Sequence, residues 1–186
     1  LMMAGLILYL YRQGYRNFLF FVNSTNIIKK TEDNFLNALS RKYLFAERIV
    51  FDRKETRIRQ VENFEDANDS DINICFTTIQ KMHGDLRDAK ENALTFEDFK
   101  GKKIVLLSDE AHHTQAATRQ GALAGLERPN WENTVDRILE QNKSNVLLEF
   151  TATMDFANPH IAGEYRNKAI YQYGLESFRN DGFSKD

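Results

Sequence analysis

The chain has 186 residues, a formal net charge of −2, 42% hydrophobic and 28% charged residues. That length suffices for one domain with a sizeable core, and the balance of apolar to charged residues excludes a disordered chain. A near-neutral total excludes a generally basic nucleic-acid binder while leaving room for a local basic groove, and a single cysteine excludes an internal disulfide and fits a reducing cytoplasm.

Residues 1–14 are almost continuously apolar as far as Tyr11 and end on Gly14, which predicts a mostly buried helix with a glycine stop. The apolar run is too short to cross a membrane and lacks the basic start and small-residue cleavage site of a secretory signal. No N-cap residue precedes it, so the chain is expected to open inside a helix. Asn17-Phe18-Leu19-Phe20-Phe21-Val22-Asn23 is the next strand. Asn23, Ser24 and Thr25 at its carboxyl end can meet phosphate oxygens through side chains and a helix N-terminus. An ordinary strand–turn–helix with Ser24 or Thr25 as the cap accounts for the same residues.

Residues 32–46 predict a helix, with Phe35, Leu36, Leu39, Tyr43 and Leu44 at helical spacing. Residues 48–51 suit a short strand. Residues 52–71 are charged and poor in apolar side chains, which suits a solvated connection with a short helix, Arg53, Lys54, Arg57 and Arg59 forming a solvated face. Residues 71–78 predict another buried strand, with Cys75 as a core thiol. It runs into Thr77-Thr78-Ile79-Gln80-Lys81, where two hydroxyls, an amide and an ammonium make a phosphate-contacting corner; a plain turn into a helix is the alternative. His83 reads as incidental rather than as a ligand. Residues 85–102 form a polar excursion anchored by Phe96 and Phe99 and turned by Gly101.

Ile104-Val105-Leu106-Leu107 is a continuous apolar run bounded by charge, the pattern of a strand buried inside a parallel sheet. It stops on two carboxylates, Asp109 and Glu110, and in open α/β sheets ligands sit outside the carboxyl ends of the strands. Asp109 is placed to hold Mg²⁺ and Glu110 to orient or deprotonate a water, as nucleotide hydrolysis requires. A solvated strand end or a helix cap would also use Asp-Glu. The adjacent His112 and His113 point in different directions in any regular element and make a poor metal pair. Beyond the polar residues 114–131, residues 131–142 predict a helix with Trp131, Val135, Ile138 and Leu139 on one face. Residues 145–150 predict the last clear strand, ending at Thr151-Ala152-Thr153, and residues 170–186 close the chain.

Asp109-Glu110-Ala111-His112 resembles the DEAH form of the Walker B motif of superfamily 2 helicases and translocases, and with His113 it is most similar to the restriction (Res) subunit of type III restriction enzymes. Asn23-Ser24-Thr25 resembles motif Ia, with Asn23 in place of the usual Pro. Thr77-Thr78-Ile79-Gln80-Lys81 resembles a string of restriction-type translocases, and Thr151-Ala152-Thr153 resembles motif III. The segments occur in the family's order over nearly the whole chain. The resemblance implies one RecA-like three-layer α/β/α domain over residues 1–186, with a mainly parallel central sheet and incomplete at its N-terminus. It implies ATP and Mg²⁺ as cofactors, with Asp109 on the metal, Glu110 activating water, and His112, Thr151 and Thr153 coupling nucleotide state to the motor. It places Asn23, Ser24, Thr77, Thr78, Gln80 and Lys81 against double-stranded DNA. It also implies a modification methyltransferase subunit as partner and a cytoplasmic, membrane-free setting. The family's phosphate-binding loop belongs just ahead of the first helix, and the pattern G-x-x-x-x-G-K-[ST] has no match in these residues. The second motor domain and the nuclease domain of the family are not among them either.

Two function classes follow. One is the motor domain of an ATP-dependent DNA translocase, in a type III restriction subunit or, within the same class, a type I restriction subunit or a phage or repair helicase. The other is a RecA-like domain without its phosphate loop that only binds DNA or a partner protein.

Overall fold

A computed structural model of the chain describes residues 1–65, 67–88, 90–109, 131–152 and 159–183. They fall into two compact units, Leu1–Thr151 and Ala152–Asp186. The first unit contains, in chain order, α1 (Met2–Arg12), β1 (Asn17–Val22), α2 (Thr25–Leu36), β2 (Ile49–Phe51), β3 (Lys54–Thr56), β4 (Ile58–Gln60), β5 (Ile72–Thr78), α3 (Ile79–Arg87), α4 (Phe96–Lys100), β6 (Ile104–Ser108), α5 (Trp131–Gln141) and β7 (Val146–Glu149). Five strands form one sheet in the order β4-β5-β1-β6-β7, and every pairing in it is parallel.

A parallel sheet needs cover on both faces, because its crossovers lay helices there. All six residues of β1 are buried, and alternate ones enter different cores. Phe18, Phe20 and Val22 join Ile72, Ile74, Val105 and Leu107 under Ala4, Ile7 and Tyr11 of α1 and Phe35 of α2. Leu19 and Phe21 join Cys75, Ile104 and Leu106 under Ile79 and Met82 of α3, Phe99 of α4, and Val135 and Ile138 of α5. The period of two along each strand thus produces the three layers of the RecA-like α/β/α arrangement. Burial also pushes the Cys75 thiol up to about 12, so it stays a neutral core side chain.

Gly14, at φ +90°, closes α1 as a Schellman cap, with Gly14 N–H donating to the Tyr11 carbonyl and Tyr15 N–H to that of Leu10, both at 3.0 Å. The short reversal makes α1 antiparallel to β1 and returns its N-terminal end to the carboxyl edge of the sheet. The opposite edge is held by two buried asparagines. Asn73 Nδ2 donates to Asn17 Oδ1 and the Asn68 carbonyl, while its Oδ1 accepts from Asn68 N–H. Asn145 Oδ1 accepts from Ile104 N–H, and its Nδ2 donates to the carbonyls of Phe99 and Ile138, tying β6, α4 and α5 together.

Three local expectations are corrected. The helix expected over residues 32–46 is instead α2, and it ends at Leu36. Asp33 accepts from Asn37 Nδ2 and Ser40 Oγ at 2.7 Å each, and Asn37 Oδ1 accepts from Leu39 N–H, so side chains take over where helical bonds would continue. Leu39 is left 94% exposed, and the chain returns so that Phe45 packs edge-on to Phe35 at 5.4 Å. The short helix expected within residues 52–71 is not found among the described residues. That stretch holds β3 and the sheet's edge strand β4, after a hairpin whose two turn residues, Asp52 (φ +49°) and Arg53 (φ +66°), are both left-handed, as a type I′ turn demands. The first helix is buried along one face only, with Tyr9 58% exposed.

The second unit contains α6 (Pro159–Tyr165) and α7 (Leu175–Asn180). Within it Tyr171, Tyr173, Phe178 and Phe183 contact one another in succession, with ring centroids 5.7–6.4 Å apart. Among the described residues no helix is long and apolar enough to cross a membrane.

Asp71 anchors β4 to the sheet. It accepts from Arg57 N–H at 2.9 Å and from the Arg59 guanidinium. Burial works to raise its carboxyl, but the Arg57 N–H and the Arg59 charge outweigh burial and hold it below the ordinary range. A carboxylate held below its unfolded value stabilises fully above pH about 4, and that contribution fades as pH falls through the folded value. Asp71→Asn is therefore expected to cost about 1.5–3 kcal/mol at pH 7. Urea unfolding at pH 7 and pH 3 checks this: the penalty shrinks at the lower pH, and an equal penalty at both contradicts the assignment.

Candidate functional site

The strand register lines up the carboxyl ends. Phe21 of β1 pairs with Thr77 on one side and Ser108 on the other, and Ser108 pairs with Glu149 of β7. One step further Val22 pairs with Thr78, and Phe150 N–H donates to the Ser108 carbonyl at 2.8 Å. Neighbouring strands stand about 4.8 Å apart, so the ends of β5 and β6 are about 10 Å apart with β1 between them. Asn23 and Ser24 after β1, Thr77 and Thr78 ending β5, Asp109 after β6 and Thr151 after β7 therefore share one edge. Glu110, His112, His113 and Thr153 lie outside the described residues, as do residues 114–130.

Helices leave this edge to opposite faces. The chain from β1 enters α2 on the α1 side, whereas the chain from β5 enters α3 on the other. Divergence from adjacent parallel strands opens the crevice in which α/β proteins bind ligands. The N-terminal ends of α1, α2 and α3 all lie at this edge, and none has an acidic residue in its first turn. Their positive ends are thus uncompensated locally, which favours an anion there. By contrast α4 carries Glu97 and Asp98 in its first turn, and Asp98 is consumed in a capping box with Thr95.

The individual side chains divide by what they already hold. Ser24 occupies the N-cap position of α2, yet its hydroxyl makes no capping bond. Thr78 caps α3, its Oγ1 accepting from Lys81 N–H at 3.1 Å, which leaves its own O–H as a donor. Thr77 is 2% exposed and its hydroxyl donates to the Thr78 carbonyl, so it serves the strand end rather than the surface. Asn23, Gln80 and Lys81 are exposed, and Asp109 and Thr151 are half-buried. The Lys81 ammonium lies 2.6 Å from Asp85, whose side chain is 9% exposed. The i,i+4 spacing that brings them together is visible in the sequence. Thr134, 5% exposed on α5, has its Oγ1 2.7 Å from His83 Nδ1, a contact that no sequence spacing announces.

The donor set suits Mg²⁺. Asp109 supplies hard carboxylate oxygens, with hydroxyls on neighbouring strand ends, and Mg²⁺ takes one or two carboxylates with phosphates and water completing its shell. Among the described residues no three His, Cys, Asp or Glu side chains converge as a metal cluster. Thr78→Ala removes the α3 cap and is expected to lower stability by about 1 kcal/mol, with Thr78→Ser restoring it. Urea midpoints of the three proteins check this, and an unchanged midpoint for the alanine variant contradicts the capping role.

The family model described as type III restriction enzyme, res subunit, matches residues 1–156. The chain is 41% identical over 205 aligned positions to the probable type III restriction-modification enzyme HindVIP Res subunit of Haemophilus influenzae. The alignment covers 100% of this chain, which spans 40% of that relative's length. No solved structure matches the chain. A family match over most of the chain, together with that identity along its whole length, shows that it belongs to the Res subunit family of type III restriction enzymes.

Proposed function

We propose that this domain is the nucleotide-binding motor domain of an ATP-dependent DNA translocase in a restriction system, working in the cytoplasm with a modification methyltransferase subunit on duplex DNA. The observation that carries it is the edge itself. Asp109 follows a central strand whose last residue, Ser108, is level with Phe21 and Thr77, and it shares the edge with three helix N-termini that lack acids in their first turns. Bound Mg²⁺ would neutralise phosphate charge at that edge. Asp109 holds the ion, and Glu110, the next residue, orients the attacking water and takes its proton. Ser24 and the N-terminal N–H groups of α2 bind phosphate oxygens. Thr151 and Thr153 relay the state of the acids along the strand ends, together with His112.

Asn23, Gln80 and Lys81 present an amide, a second amide and an ammonium on the solvent side of the same edge, suited to the DNA backbone. Lys81 enters that contact by exchanging Asp85 for a phosphate, one cation–anion pair for another. Thr78 offers its hydroxyl hydrogen there while its oxygen keeps the α3 cap.

The full-length polypeptide is expected to hydrolyse ATP faster with duplex DNA, and Glu110→Gln to lower that turnover at least about 100-fold, as loss of general-base chemistry does. Because the residues present contain no G-x-x-x-x-G-K-[ST] segment, which grips the β and γ phosphates, the 186-residue chain by itself is expected to turn over negligibly. Colourimetric phosphate release from both proteins checks these points. Robust, Glu110-dependent turnover by the short chain would contradict the second, and turnover insensitive to Glu110→Gln would contradict the first.

A further inference from the structure

β4 is an outer strand of the sheet, and its ladder to β5 uses only part of its backbone. Ile72 N–H donates to the Arg57 carbonyl at 2.8 Å, and Val61 N–H donates to that of Ile74 at 3.0 Å. Ile58, Arg59 and Gln60 are level with Ile72, Asn73 and Ile74. The alternation of a parallel ladder then gives Arg59 both bonds to β5 and turns the N–H and C=O groups of Ile58 and Gln60 outward. Among the described residues no backbone or side-chain group bonds to them. A row of open N–H and C=O groups is a template for another extended chain.

A cavity of about 290 Å³ lies beside this open edge. Ile58 points to the face of the sheet that carries α1 and α2, and it lines the cavity together with Phe35, Tyr43 and Ile49. Glu47, Arg48, Glu55 and Arg57 add charge to the lining. Arg48 lies 3.4 Å from Glu55, both of them exposed. The Arg57 guanidinium is exposed and makes no hydrogen bond or ion pair among the described residues. Residues 41–60 as a whole carry seven cations (Arg41, Lys42, Arg48, Arg53, Lys54, Arg57, Arg59) against three acids (Glu47, Asp52, Glu55). Charge on an edge strand repels like charge and admits the opposite sign.

We propose that the outer edge of β4 docks an extended segment of a partner protein in which acidic residues alternate with large apolar ones. The segment adds a strand to the sheet by exchanging hydrogen bonds with Ile58 and Gln60. Main-chain bonds of this kind supply affinity, and a pocket for alternate side chains supplies specificity. Successive side chains of a strand point to opposite faces. An apolar residue beside Ile58 therefore enters the cavity, and its neighbours fall on the other face beside Arg59. Arg59 already binds Asp71 through Nε, and its remaining guanidinium N–H groups are donors for an added carboxylate. Arg57 meets a further acid at the cavity. A second copy of the chain would set Arg59 against cations of its own kind. The chain itself passes into its second unit from β7, at the opposite edge of the sheet. Ile58 is also level with the first residue of β5, far from the carboxyl edge where the DNA-facing residues gather.

The test uses the full-length polypeptide and fluorescein-labelled synthetic peptides, read by fluorescence anisotropy. The probe is Glu-Val-Glu-Phe-Glu-Val-Glu. One control, Glu-Glu-Val-Phe-Val-Glu-Glu, keeps the composition and loses the alternation; the other, Lys-Val-Lys-Phe-Lys-Val-Lys, keeps the alternation and reverses the charge. Saturable binding of the probe is expected, with both controls at least about tenfold weaker. Gln60→Pro removes the outward N–H and leaves the ladder to β5 intact, as edge strands allow. It is expected to weaken the probe about tenfold, the cost of about one interfacial hydrogen bond. Arg57→Ala weakens it by a similar factor, and Arg57→Lys keeps most of the binding. Arg57 is exposed and its backbone N–H still reaches Asp71, so the alanine variant stays folded even where the proline variant does not. No saturable binding, equal binding of the probe and either control, or unchanged binding in both Gln60→Pro and Arg57→Ala overturns the proposal. Displacement of the probe by duplex DNA overturns it too, because the cations then serve nucleic acid. So does a wild-type dimer in size-exclusion chromatography that Gln60→Pro turns into a monomer, because the edge then belongs to a second copy.

Discussion

The all-parallel pairing of β5, β1, β6 and β7 is the constraint on which everything else depends. Parallel strands point their carboxyl ends the same way, so residues far apart in the chain arrive on one edge without any dedicated scaffold. Phe21, Thr77, Ser108 and Glu149 form a single row across four strands. The residue after each row member is therefore also aligned, and Val22, Thr78, Asp109 and Phe150 make the next level. A one-residue slip of any strand would turn its side chains to the opposite face and take its apolar residues out of their core. The packing of Phe18, Phe20, Leu106 and Leu107, all fully buried, is therefore what places Asp109.

The two edges of the sheet are built differently. At the amino edge, Asn73, Asn145, Asp71 and Arg16 spend their polar atoms on the backbone and on one another. Arg16, for example, donates to the carbonyls of Tyr11, Tyr15 and Asp69. At the carboxyl edge, Ser24 is an N-cap without a capping bond, Thr78 keeps a donor, and three helix N-termini come without acids. Stability is concentrated at one end and polar capacity at the other. That division suits a domain whose core must stay rigid while its edge meets anions, and α3 and α5 share a polar contact near that edge, His83 with Thr134.

Much of this was legible in the chain. The continuous apolar run at residues 104–107 predicted a strand buried on both faces, residues 17–23 predicted the next strand, and both lie at the centre of the sheet. Gly14 predicted the end of α1, because only a left-handed residue closes that cap at no steric cost. The family was legible from the order of short segments, each weak alone. What failed did so for local reasons. Asp33, Asn37 and Ser40 end α2 through side-chain bonds that hydrophobic spacing does not register, since Leu39 and Tyr43 keep the helical period. The hairpin of β2 and β3 turns on Asp52-Arg53, which carries no glycine to announce left-handed backbone. β4 has only three residues, two of them charged or polar, and it is a strand because Asp71 and Ile72 bind it. At the edge, side-chain identities pointed to phosphate chemistry, while the partners that Thr77, Thr78 and Lys81 already hold emerged only from packing.

The central claim is that Mg²⁺-nucleotide sits at the carboxyl ends of these strands, held by Asp109. Replacing Mg²⁺ with Fe²⁺ in the full-length polypeptide and generating hydroxyl radicals cuts the backbone only within a few ångströms of the ion. With ATP present, the account predicts cuts near residues 23–25, 108–110 and 151, abolished by Asp109→Ala. Cuts that fall elsewhere, or that persist at these positions in the Asp109→Ala protein, would contradict it.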